Sequence, residues 1–469
     1  MGINLFIVMN TIWEPDGELF LRLAATKPKY MALAELIEQS IDNKQLTFDQ
    51  RLPAQRTLAD ALQITHGTVT RAYVLLELRG YVRAKLGAGT YVSKDNSLLH
   101  ELQVSDLAAS VQPLMGQDSI IAKAMQDLSQ SHTELAELMT YKLNGLPRHQ
   151  RFFRDWLLQR GFACEQHDVI FTQGAQQGIY SCLSTLCEPG DLVIHETLTY
   201  PGFFKACNNL RLCTKGVALN EQGIDLVQLE SICQSQPVKA IYITPNCQNP
   251  TNVRYSEETL QALLALSRKY HFFILEDDVN YCLPENWRLP LWQKAPDRVF
   301  YLASFSKYFS GGLRAGYMLT PLLWQQQVIN TVHAQCWSVS MMNFELMMRA
   351  LQSKEYQYNQ CKLEEELRYR QECFDKVLRQ YGFEAAFFGL NICWHLPDNL
   401  NMHYVAGQFK AQSVEVRTLD VFASPHEICD INGIRFTLGG PTTREAFEFA
   451  MARVDKVLQD LLVSSDVVI

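Results

Sequence analysis

The stretch that decides the fold runs from residue 298 to residue 317 and reads RVFYLASFSKYFSGGLRAGY. The residues before Ser304 form an apolar run that predicts a buried strand. Lys307 follows this strand, at the end where open α/β sheets bind their ligands. Its amine can form a Schiff base with an aldehyde cofactor. Ser304, Ser306 and Arg314 offer hydroxyls and a guanidinium to a phosphate.

A solvated lysine among surface serines would have the same local sequence, so the interpretation of Lys307 as a cofactor-binding residue depends on the rest of the chain. From residue 118 onward short apolar runs alternate with helical patterns, which predicts a mostly parallel sheet covered by helices. Strands are expected at 168–172, 192–195, 238–243 and 272–275. After about residue 353 a long charged helix leads into a smaller α/β part.

Groups suited to a heteroaromatic cofactor follow these strands at one edge of the predicted sheet. Asp277 comes after the fourth strand, where a carboxylate can hold a ring nitrogen protonated. Its neighbour Asp278 is the alternative, and one of the two is expected to serve a turn or a helix cap. Tyr200 follows the second strand and can stack on a ring, although a tyrosine of the core would give the same pattern.

Further groups complete this set. Gly174, Ala175 and Gln176 begin a helix whose free N–H groups favour a phosphate, although Gly174 can also simply close a turn. Asn249, in the sequence QNPT, can hydrogen-bond a phenolic oxygen. Arg435 can bind a carboxylate through two parallel hydrogen bonds, or pair with an acid on a neighbouring strand.

The order of these groups along the chain resembles that of the class I and II aminotransferases of fold type I, which use pyridoxal 5'-phosphate (PLP). The resemblance covers most of 118–450. It implies an α/β fold with PLP on Lys307, Asp277 facing the pyridine nitrogen and Arg435 holding the carboxylate of an amino acid or amine ligand. It also implies a homodimer.

The sequence departs from the family pattern in several places. Asn252 stands where Asn-Pro-Thr is usually followed by glycine. A tyrosine normally follows the Glu-Asp-Asp element within two positions, whereas here Asn280 and Tyr281 are both candidates for the contact to the phenolic oxygen. The usual Gly-x-x-x-Leu-Arg segment reads GLPRHQ at 145–150, which weakens a substrate role for Arg148.

Residues 27–95 have a different pattern. Apolar spacing predicts helices at 27–40, 57–62 and 68–79, and a hairpin is expected from 80–85 and 89–92. Three helices followed by a two-stranded wing describe a winged helix-turn-helix. Ten basic residues against seven acidic ones make this segment positive in a chain of net charge −8, which suits contact with phosphates.

The segment resembles the GntR type of DNA-binding domain through LPxxRxLA at 52–59, TVxRAYxxLExxG at 68–80 and GxGTYV at 87–92. We expect it to contact double-stranded operator DNA. The residues expected at the groove are Arg56, Thr65, His66, Thr68, Thr70, Arg71 and Gly89. Arg56 and Arg71 also fit the alternative of solvated helix charges.

Together these features identify the chain as a member of the MocR group of GntR-type regulators, in which an aminotransferase-like domain senses PLP or an amine and governs transcription. The expected organisation is an arm at 1–26, the winged helix-turn-helix at 27–95, a linker at 96–117 and an aminotransferase-like domain at 118–469, its small domain starting near 353. A metabolic aminotransferase with an appended DNA-binding domain is one alternative. A regulator whose site binds without turnover is another.

Composition limits the cellular setting. A hydrophobic content of 47% and a charged content of 20% suit a globular protein, and the net charge argues against nucleic-acid binding by the chain as a whole. The 13 cysteines are odd in number and include no Cys-x-x-Cys pair, which predicts reduced thiols in a cytoplasmic protein and no zinc or other metal site. Neither a signal peptide nor a membrane span is predicted.

Overall fold

In the computed structural model the chain divides into two compact units, Met1–Val104 and Ser105–Ile469. The structure describes residues 13, 15–43, 45–47, 50–78, 81–85, 89–93, 104–425 and 431–465. Most of the expected arm before residue 15, the turn of the wing and the linker residues 96–103 therefore lie outside the described residues. None of the helices within the described ranges is long and apolar enough to cross a membrane.

The first unit contains the predicted winged helix-turn-helix. Its elements are α1 (Gly17–Ala24), α2 (Lys29–Asp42), α3 (Gln55–Ala61), α4 (His66–Leu78), β1 (Val82–Lys85) and β2 (Gly89–Val92), the two strands pairing antiparallel. Leu36, Val69 and Leu76 belong to one buried apolar cluster that joins the helices. The Tyr73 hydroxyl donates to the carbonyl of Pro53 over 2.7 Å, which ties α4 to the turn before α3.

Part of the arm expected at 1–26 is a helix, α1. Asp16 caps it, because its Oδ1 accepts from the backbone N–H groups of Glu18 and Leu19, each over 3.0 Å. Phe20 anchors the helix in the core of the unit. The capping aspartate and the buried aromatic residue explain why this part of the expected arm is helical.

The second unit is α/β. Its strands are β3 (Ser105–Asp106), β4 (Ile170–Thr172), β5 (Leu192–Glu196), β6 (Cys213–Val217), β7 (Leu219–Asn220), β8 (Gly223–Ile224), β9 (Ala240–Ile243), β10 (Phe273–Asp277), β11 (Val299–Ser304), β12 (Gly316–Leu319), β13 (Ala386–Phe388), β14 (Asn391–His395), β15 (Val414–Glu415), β16 (Arg417–Thr418) and β17 (Gly433–Thr437).

Its helices flank these strands. They are α5 (Gln117–Ser129), α6 (His132–Leu138), α7 (Pro147–Gln159), α8 (Ala175–Leu186), α9 (Pro201–Asn209), α10 (Leu226–Ser235), α11 (Glu257–Tyr270), α12 (Leu322–Cys336), α13 (Met341–Gln352), α14 (Lys354–Gln380), α15 (Met402–Ala411) and α16 (Arg444–Ser465). Short 3-10 helices lie at Pro284–Asn286, Leu291–Lys294 and Leu419–Phe422.

The large sheet has the order β4-β12-β11-β10-β9-β5-β6. All neighbours pair in parallel except β12, which is antiparallel to both β11 and β4. Every residue of β9 and β11 is buried, as continuous apolar strands between helical layers require. The expected mostly parallel sheet is confirmed, and the carboxyl ends of β5, β9, β10 and β11 meet at one edge.

The small sheet has the order β13-β14-β17-β16 and its strands pair antiparallel. Its core includes Trp394 and Phe436, together with residues of α14 and α16. In the register of this sheet Arg435 of β17 lies between Cys393 of β14 and Arg417 of β16. This register brings two arginines side by side, one of them the residue predicted to bind a carboxylate.

Residues 105–117, the second half of the expected linker, are part of the second unit. β3 pairs in parallel with β15, and Leu107 is fully buried in the core of the small sheet. The Thr437 N–H donates to the Leu107 carbonyl over 2.8 Å, and the Leu114 N–H donates to the Thr442 carbonyl over 3.2 Å. The polar composition hid this pairing, because backbone groups rather than side chains make most of the contacts.

Two consecutive glycines give this segment room. A Cβ atom at Gly439 would overlap the carbonyl of Val111, and one at Gly440 would overlap the carbonyl of Asp106. Asp106 also fixes the turn that follows β3, since its Oδ1 accepts from the N–H groups of Ala108 over 2.8 Å and Ala109 over 2.9 Å. Residues 106–111 consequently run directly over the end of β17.

Candidate functional site

A cavity of about 300 Å³ lies at the carboxyl ends of the large-sheet strands, beside β16 and β17 of the small sheet. It brings together most of the residues predicted for the cofactor and its ligand. These are Ala175, Gln176, Tyr200, Asn249, Asp277, Ser304, Ser306, Lys307, Arg314 and Arg435.

Lys307 lies three residues beyond the end of β11, where the sequence predicts it. Its Nζ donates to the carbonyl of Ser110, and its own carbonyl accepts from the Gln112 side chain. Burial, together with the nearby charges of Arg435 and Arg314, lowers the pKa of the Lys307 amine to about 8. A buried lysine of this kind carries a larger neutral fraction at neutral pH, which makes it a better nucleophile.

Asp277 ends β10 and faces the cavity. Its Oδ2 accepts from the Tyr242 hydroxyl over 2.5 Å, and its Oδ1 accepts from the Val279 N–H over 3.2 Å. Burial raises the pKa of Asp277 to about 6, while the bond from Tyr242 acts in the opposite direction. The group is therefore mostly ionised at neutral pH and can pair with a protonated ring nitrogen.

Asp278 points away from this cavity. Its carboxylate accepts from the Asn246 amide and from the Tyr301 hydroxyl, each over 2.9 Å. Adjacent residues of a strand leave on opposite faces, so only one of the two aspartates can face the site. The geometry supports Asp277 as the candidate and gives Asp278 a structural role.

The N-terminus of α8 forms the phosphate end of the cavity. Gly174 precedes the helix with φ +77° and offers no side-chain cap, so the first N–H groups are not capped by a side chain. A Cβ atom at Gly174 would overlap the guanidinium of Arg314, which donates to the Gln173 carbonyl over 3.0 Å. The hydroxyls of Ser304 and Ser306 lie 2.9 Å apart on the other side.

Arg435 is a buried cation, only 5% exposed. Its guanidinium lies 5.1 Å from the Phe422 ring centre, donates to the Ala108 carbonyl and lies 3.5 Å from Asn249 Oδ1, while its Nε has no hydrogen-bond partner. No carboxylate of the described residues is within ion-pair distance. Because a buried charge is costly without a counter-charge, this arrangement suits an anionic ligand.

Tyr281, one of the two residues predicted to contact the phenolic oxygen, does not line the cavity. Its ring is 3% exposed and packs in the core of the small sheet, with its centre 5.1 Å from the ring centre of Tyr308. Asn280 lines the cavity instead, and its Nδ2 donates to the Cys247 carbonyl over 2.9 Å. The ring of Tyr281 is buried among apolar side chains. Of the two candidates for the contact to the phenolic oxygen, only Asn280 lines the cavity. Tyr200 is 36% exposed and lines the cavity as expected.

The remaining departures from the family pattern have structural explanations. Asn252 has φ +64°, a conformation that asparagine adopts more readily than most residues, and its Nδ2 donates to the carbonyls of Ala386 over 2.8 Å and Asn391 over 3.0 Å. Asn252 therefore adopts the backbone conformation for which the family usually has glycine, and its two hydrogen bonds attach this turn to the small sheet. Arg148 pairs with Glu345, 2.9 Å away, and with Glu137, and it does not line the cavity.

In the first unit Arg56, Thr65, His66, Arg71 and Gly89 are exposed, whereas Thr68 and Thr70 are half-buried. The hydroxyls of Thr65 and Thr68 lie 2.8 Å apart at the start of α4. Thr70 donates to the Gln55 side chain over 2.8 Å, so it also joins α3 to α4. Contacts of these residues with DNA stay predictions.

Some lining residues carried no signal that pointed to the site. Tyr242 lies in the apolar strand β9, where the sequence pattern predicts a core residue. Thr244 lies directly after this strand. Ser110 belongs to the segment that resembled a linker. Arg417 lies on a two-residue strand whose pairing with β17 could only be known from the fold.

Comparison with known proteins agrees with this geometry. Residues 103–385 match the family "Aminotransferase class I and II", and residues 29–92 match "Bacterial regulatory proteins, gntR family". An HTH-type transcriptional regulator of Bacillus subtilis, YdeF, is 27% identical over 470 residues, covering 98% of this chain and 100% of that protein. The HTH-type pyridoxine biosynthesis transcriptional regulator PdxR of Corynebacterium glutamicum is 27% identical over 308 residues, 62% of this chain and 65% of that protein.

Among solved structures, a Pyrococcus horikoshii kynurenine aminotransferase in complex with PMP has a TM-score of 0.67 at 20% identity, covering 81% of this chain and 97% of that one. At this identity the likeness concerns the fold, which is that of a PLP-dependent aminotransferase. The GntR match implies DNA binding by the first unit. The chain belongs to the class I and II aminotransferase family and, through its N-terminal domain, to the GntR family, and it is a transcriptional regulator of the MocR type.

Proposed function

We propose that this regulator holds PLP on Lys307 and changes its affinity for operator DNA when an amino acid or amine enters the same cavity. The observation that carries the proposal is the convergence of three groups on one cavity: the amine of Lys307, the carboxylate of Asp277 and the N-terminus of α8. When bound, PLP supplies an aldehyde that forms Schiff bases with primary amines, and a ring that withdraws electrons.

The chain's own residues would orient the cofactor ring. Asp277 holds a proton on the ring nitrogen, and Tyr242 keeps its carboxylate ionised and correctly turned through their 2.5 Å hydrogen bond. Tyr200 stacks on the ring face. Asn249 and Asn280 offer amide groups to the phenolic oxygen, since both line the cavity.

The phosphate would lie at the start of α8. Ala175 and Gln176, the first residues of this helix, line the cavity together with Ser304, Ser306 and Arg314. Backbone donors and a helix dipole favour an anion, and Arg314 adds charge-assisted hydrogen bonds.

A ligand amine would replace Lys307 while its carboxylate binds Arg435. To do so it must take the positions that the backbone carbonyls of Ser110 and Ala108 occupy now. Residues 105–112 continue along the chain toward the DNA-binding unit. A ligand that displaces them binds one conformation better than another, and only such a difference can shift a population.

On the DNA side we propose a homodimer in the cytoplasm that reads paired half-sites of an operator, because a two-fold reader matches a two-fold site. Arg56, Arg71 and the residues from Thr65 to Thr70 would contact the groove. A ligand coupling of about 1–3 kcal/mol would change operator affinity about 5- to 150-fold, and operator DNA would change ligand affinity by the same factor.

The test is operator affinity measured against PLP and amines. Operator duplexes are first selected from a random pool by the full-length protein, and affinity is then titrated in native protein, Lys307→Ala and Arg71→Ala. We expect a ligand effect in native protein, no effect in Lys307→Ala, and weak DNA binding with normal PLP absorbance in Arg71→Ala. Equal operator affinity in every ligand state would remove the sensing role.

A metabolic aminotransferase is the second candidate, favoured because Lys307, Asp277 and Arg435 all face the cavity. Transamination needs a lysine that both binds the cofactor and moves a proton, and Lys307 with its lowered pKa is suited to that work. Keto acid accumulating over many turnovers, with operator affinity independent of ligand, would place this activity first.

A further inference from the structure

The cavity contains a further arginine, Arg417, which has no contact in the proposed binding of the cofactor or of the ligand's carboxylate at Arg435. Arg417 of β16 is directly opposite Arg435 of β17. Directly opposite residues of an antiparallel pair leave the same face of the sheet, and both side chains line the cavity. Arg435 is buried, whereas Arg417 is exposed at the rim.

This pairing is unfavourable for the empty protein. Like charges on directly opposite residues destabilise a sheet. Within the part of the chain that the structure describes, neither guanidinium forms an ion pair, and the side chain of Arg417 makes no hydrogen bond, although its backbone belongs to the sheet. The charge of Arg417 also contributes to the lowered pKa of Arg435, after the larger effect of burial. An anion between or beside the two arginines would remove this repulsion.

The charges lining the cavity indicate how many anions it can take. Among the described residues that line it, Lys307, Arg314, Arg417 and Arg435 are basic and Asp277 is acidic. A cofactor phosphate would neutralise Arg314, and Asp277 would face the ring nitrogen. The two arginines of the small sheet remain, so the site has room for two further anionic groups.

Apolar surface lies beside these arginines. Phe422 packs under the Arg435 guanidinium, and Val421, which is half exposed, lines the same wall of the cavity. Such a wall suits the short methylene chain that would join two acidic groups. Among its described residues, this wall offers no carboxylate to a basic side chain.

We propose that Arg417 determines ligand specificity, and that the cavity takes an amino acid with a second acidic group, its α-carboxylate on Arg435 and its side-chain acid on Arg417. This inference rests on the proposed function and names the ligand class of the same site.

The test compares acids with their amides, which have nearly the same shape. PLP-loaded full-length protein is titrated by calorimetry with L-glutamate, L-glutamine, L-aspartate and L-asparagine. We expect one of the acids to bind about 10- to 150-fold more tightly than its amide, the range for a charge-assisted hydrogen-bonded pair. Arg417→Ala should remove this preference and leave the amide's affinity within about threefold.

Two further variants sharpen the result. Arg417→Glu should invert the preference, so that L-lysine or L-ornithine binds more tightly than the acids. Arg379→Ala serves as the matched control, since Arg379 is an exposed arginine paired with Asp375 and is absent from the cavity. It should keep the preference for the acid.

Equal affinity for acid and amide in native protein, or a preference that survives Arg417→Ala, would overturn the inference. These outcomes differ from failure of the proposed function, which would leave native protein without PLP absorbance and without heat of binding from any of the amino acids.

Discussion

The two ends of the cavity are built differently. At the cofactor end, formed by Asp277, Ser304, Ser306, Arg314 and the start of α8, the polar groups are positioned by the large sheet and its helices. At the ligand end, formed by Lys307, Arg417 and Arg435, the lysine and the buried arginine are held by carbonyl groups of the protein's own backbone, from Ser110 and Ala108.

In the proposed function, this difference would separate binding of the cofactor from sensing of the ligand. The phosphate and the ring of PLP would meet groups already in place, so little would have to move. A carboxylate at Arg435 must displace a neutral carbonyl, and the exchange is favourable because hydrogen bonds to charged groups contribute about 1.5–3 kcal/mol against about 0.5–1.5 kcal/mol for neutral ones. The surplus is available to move residues 105–112.

The largest effect is expected at Lys307, which belongs to both ends. Lys307→Ala removes the amine proposed to attach PLP, so the visible absorbance should be lost and borohydride should fix no cofactor to the protein. Lys269→Ala is the control, because Lys269 is exposed and paired with Glu230. A yellow, borohydride-trapped Lys307→Ala protein would show that another lysine holds the cofactor.

Next in size is a change confined to the ligand end. Arg435→Gln should weaken binding of an amino acid about 10- to 150-fold, the loss of one charge-assisted pair, while PLP binding changes little. Calorimetry gives the ligand affinity, and the absorbance spectrum reports the cofactor. If PLP affinity falls as far as ligand affinity, the two ends are not separable.

The pH dependence of PLP capture tests Lys307 in the cofactor-free protein. With a pKa of about 8, its neutral amine should become about tenfold more abundant for each unit of pH up to 8 and then reach a plateau. Protonation of Asp277 below about pH 6 should slow capture further. Stopped-flow absorbance measures the rate, and a rise that continues to pH 10 would indicate a lysine of ordinary pKa.

A smaller effect on PLP affinity is expected from Tyr242, which hydrogen-bonds Asp277 at the cofactor end. Tyr242→Phe removes the hydrogen bond that favours the charged form of Asp277, so the Asp277 pKa should rise and PLP affinity at neutral pH should fall about 2- to 10-fold. Tyr301→Phe is matched to it, since that phenol donates to the neighbouring Asp278, outside this cavity. Equal losses in both variants would point to a general packing effect.

The smallest effect should be a gain. The Thr437 hydroxyl donates to the Ala109 carbonyl over 2.8 Å and helps to hold the segment over the ligand end. Thr437→Val keeps the shape and removes this bond, so ligand affinity should rise about 2- to 5-fold because displacement costs less. Thermal denaturation serves as the control for folding, and a weaker ligand affinity in a stable variant would contradict this role.

Much of the placement at the cofactor end could be predicted from the sequence, because several of its groups lie at or just beyond the ends of apolar strands, and the edge of a parallel sheet brings such positions together. Asp277 at the end of β10 and Ser304 and Ser306 at the end of β11 illustrate this. The ligand end could not. Ser110 and Arg417 reach the cavity through backbone pairing of β3 and β16, two-residue strands with no periodic pattern. Tyr281 was misplaced because its position in the chain suggests a contact that its apolar ring makes elsewhere.

Gly439 and Gly440 carry a consequence for how the sequence can vary. No ligand contact is expected at either position, yet any side chain there would collide with the carbonyls of Val111 or Asp106. In a saturation library selected for ligand-responsive transcription, both positions should accept glycine alone, as strictly as Lys307 accepts lysine. In a selection for folding only, substitutions that push the segment off β17 should survive, and the difference between the two libraries would map the sensor without knowledge of its ligand.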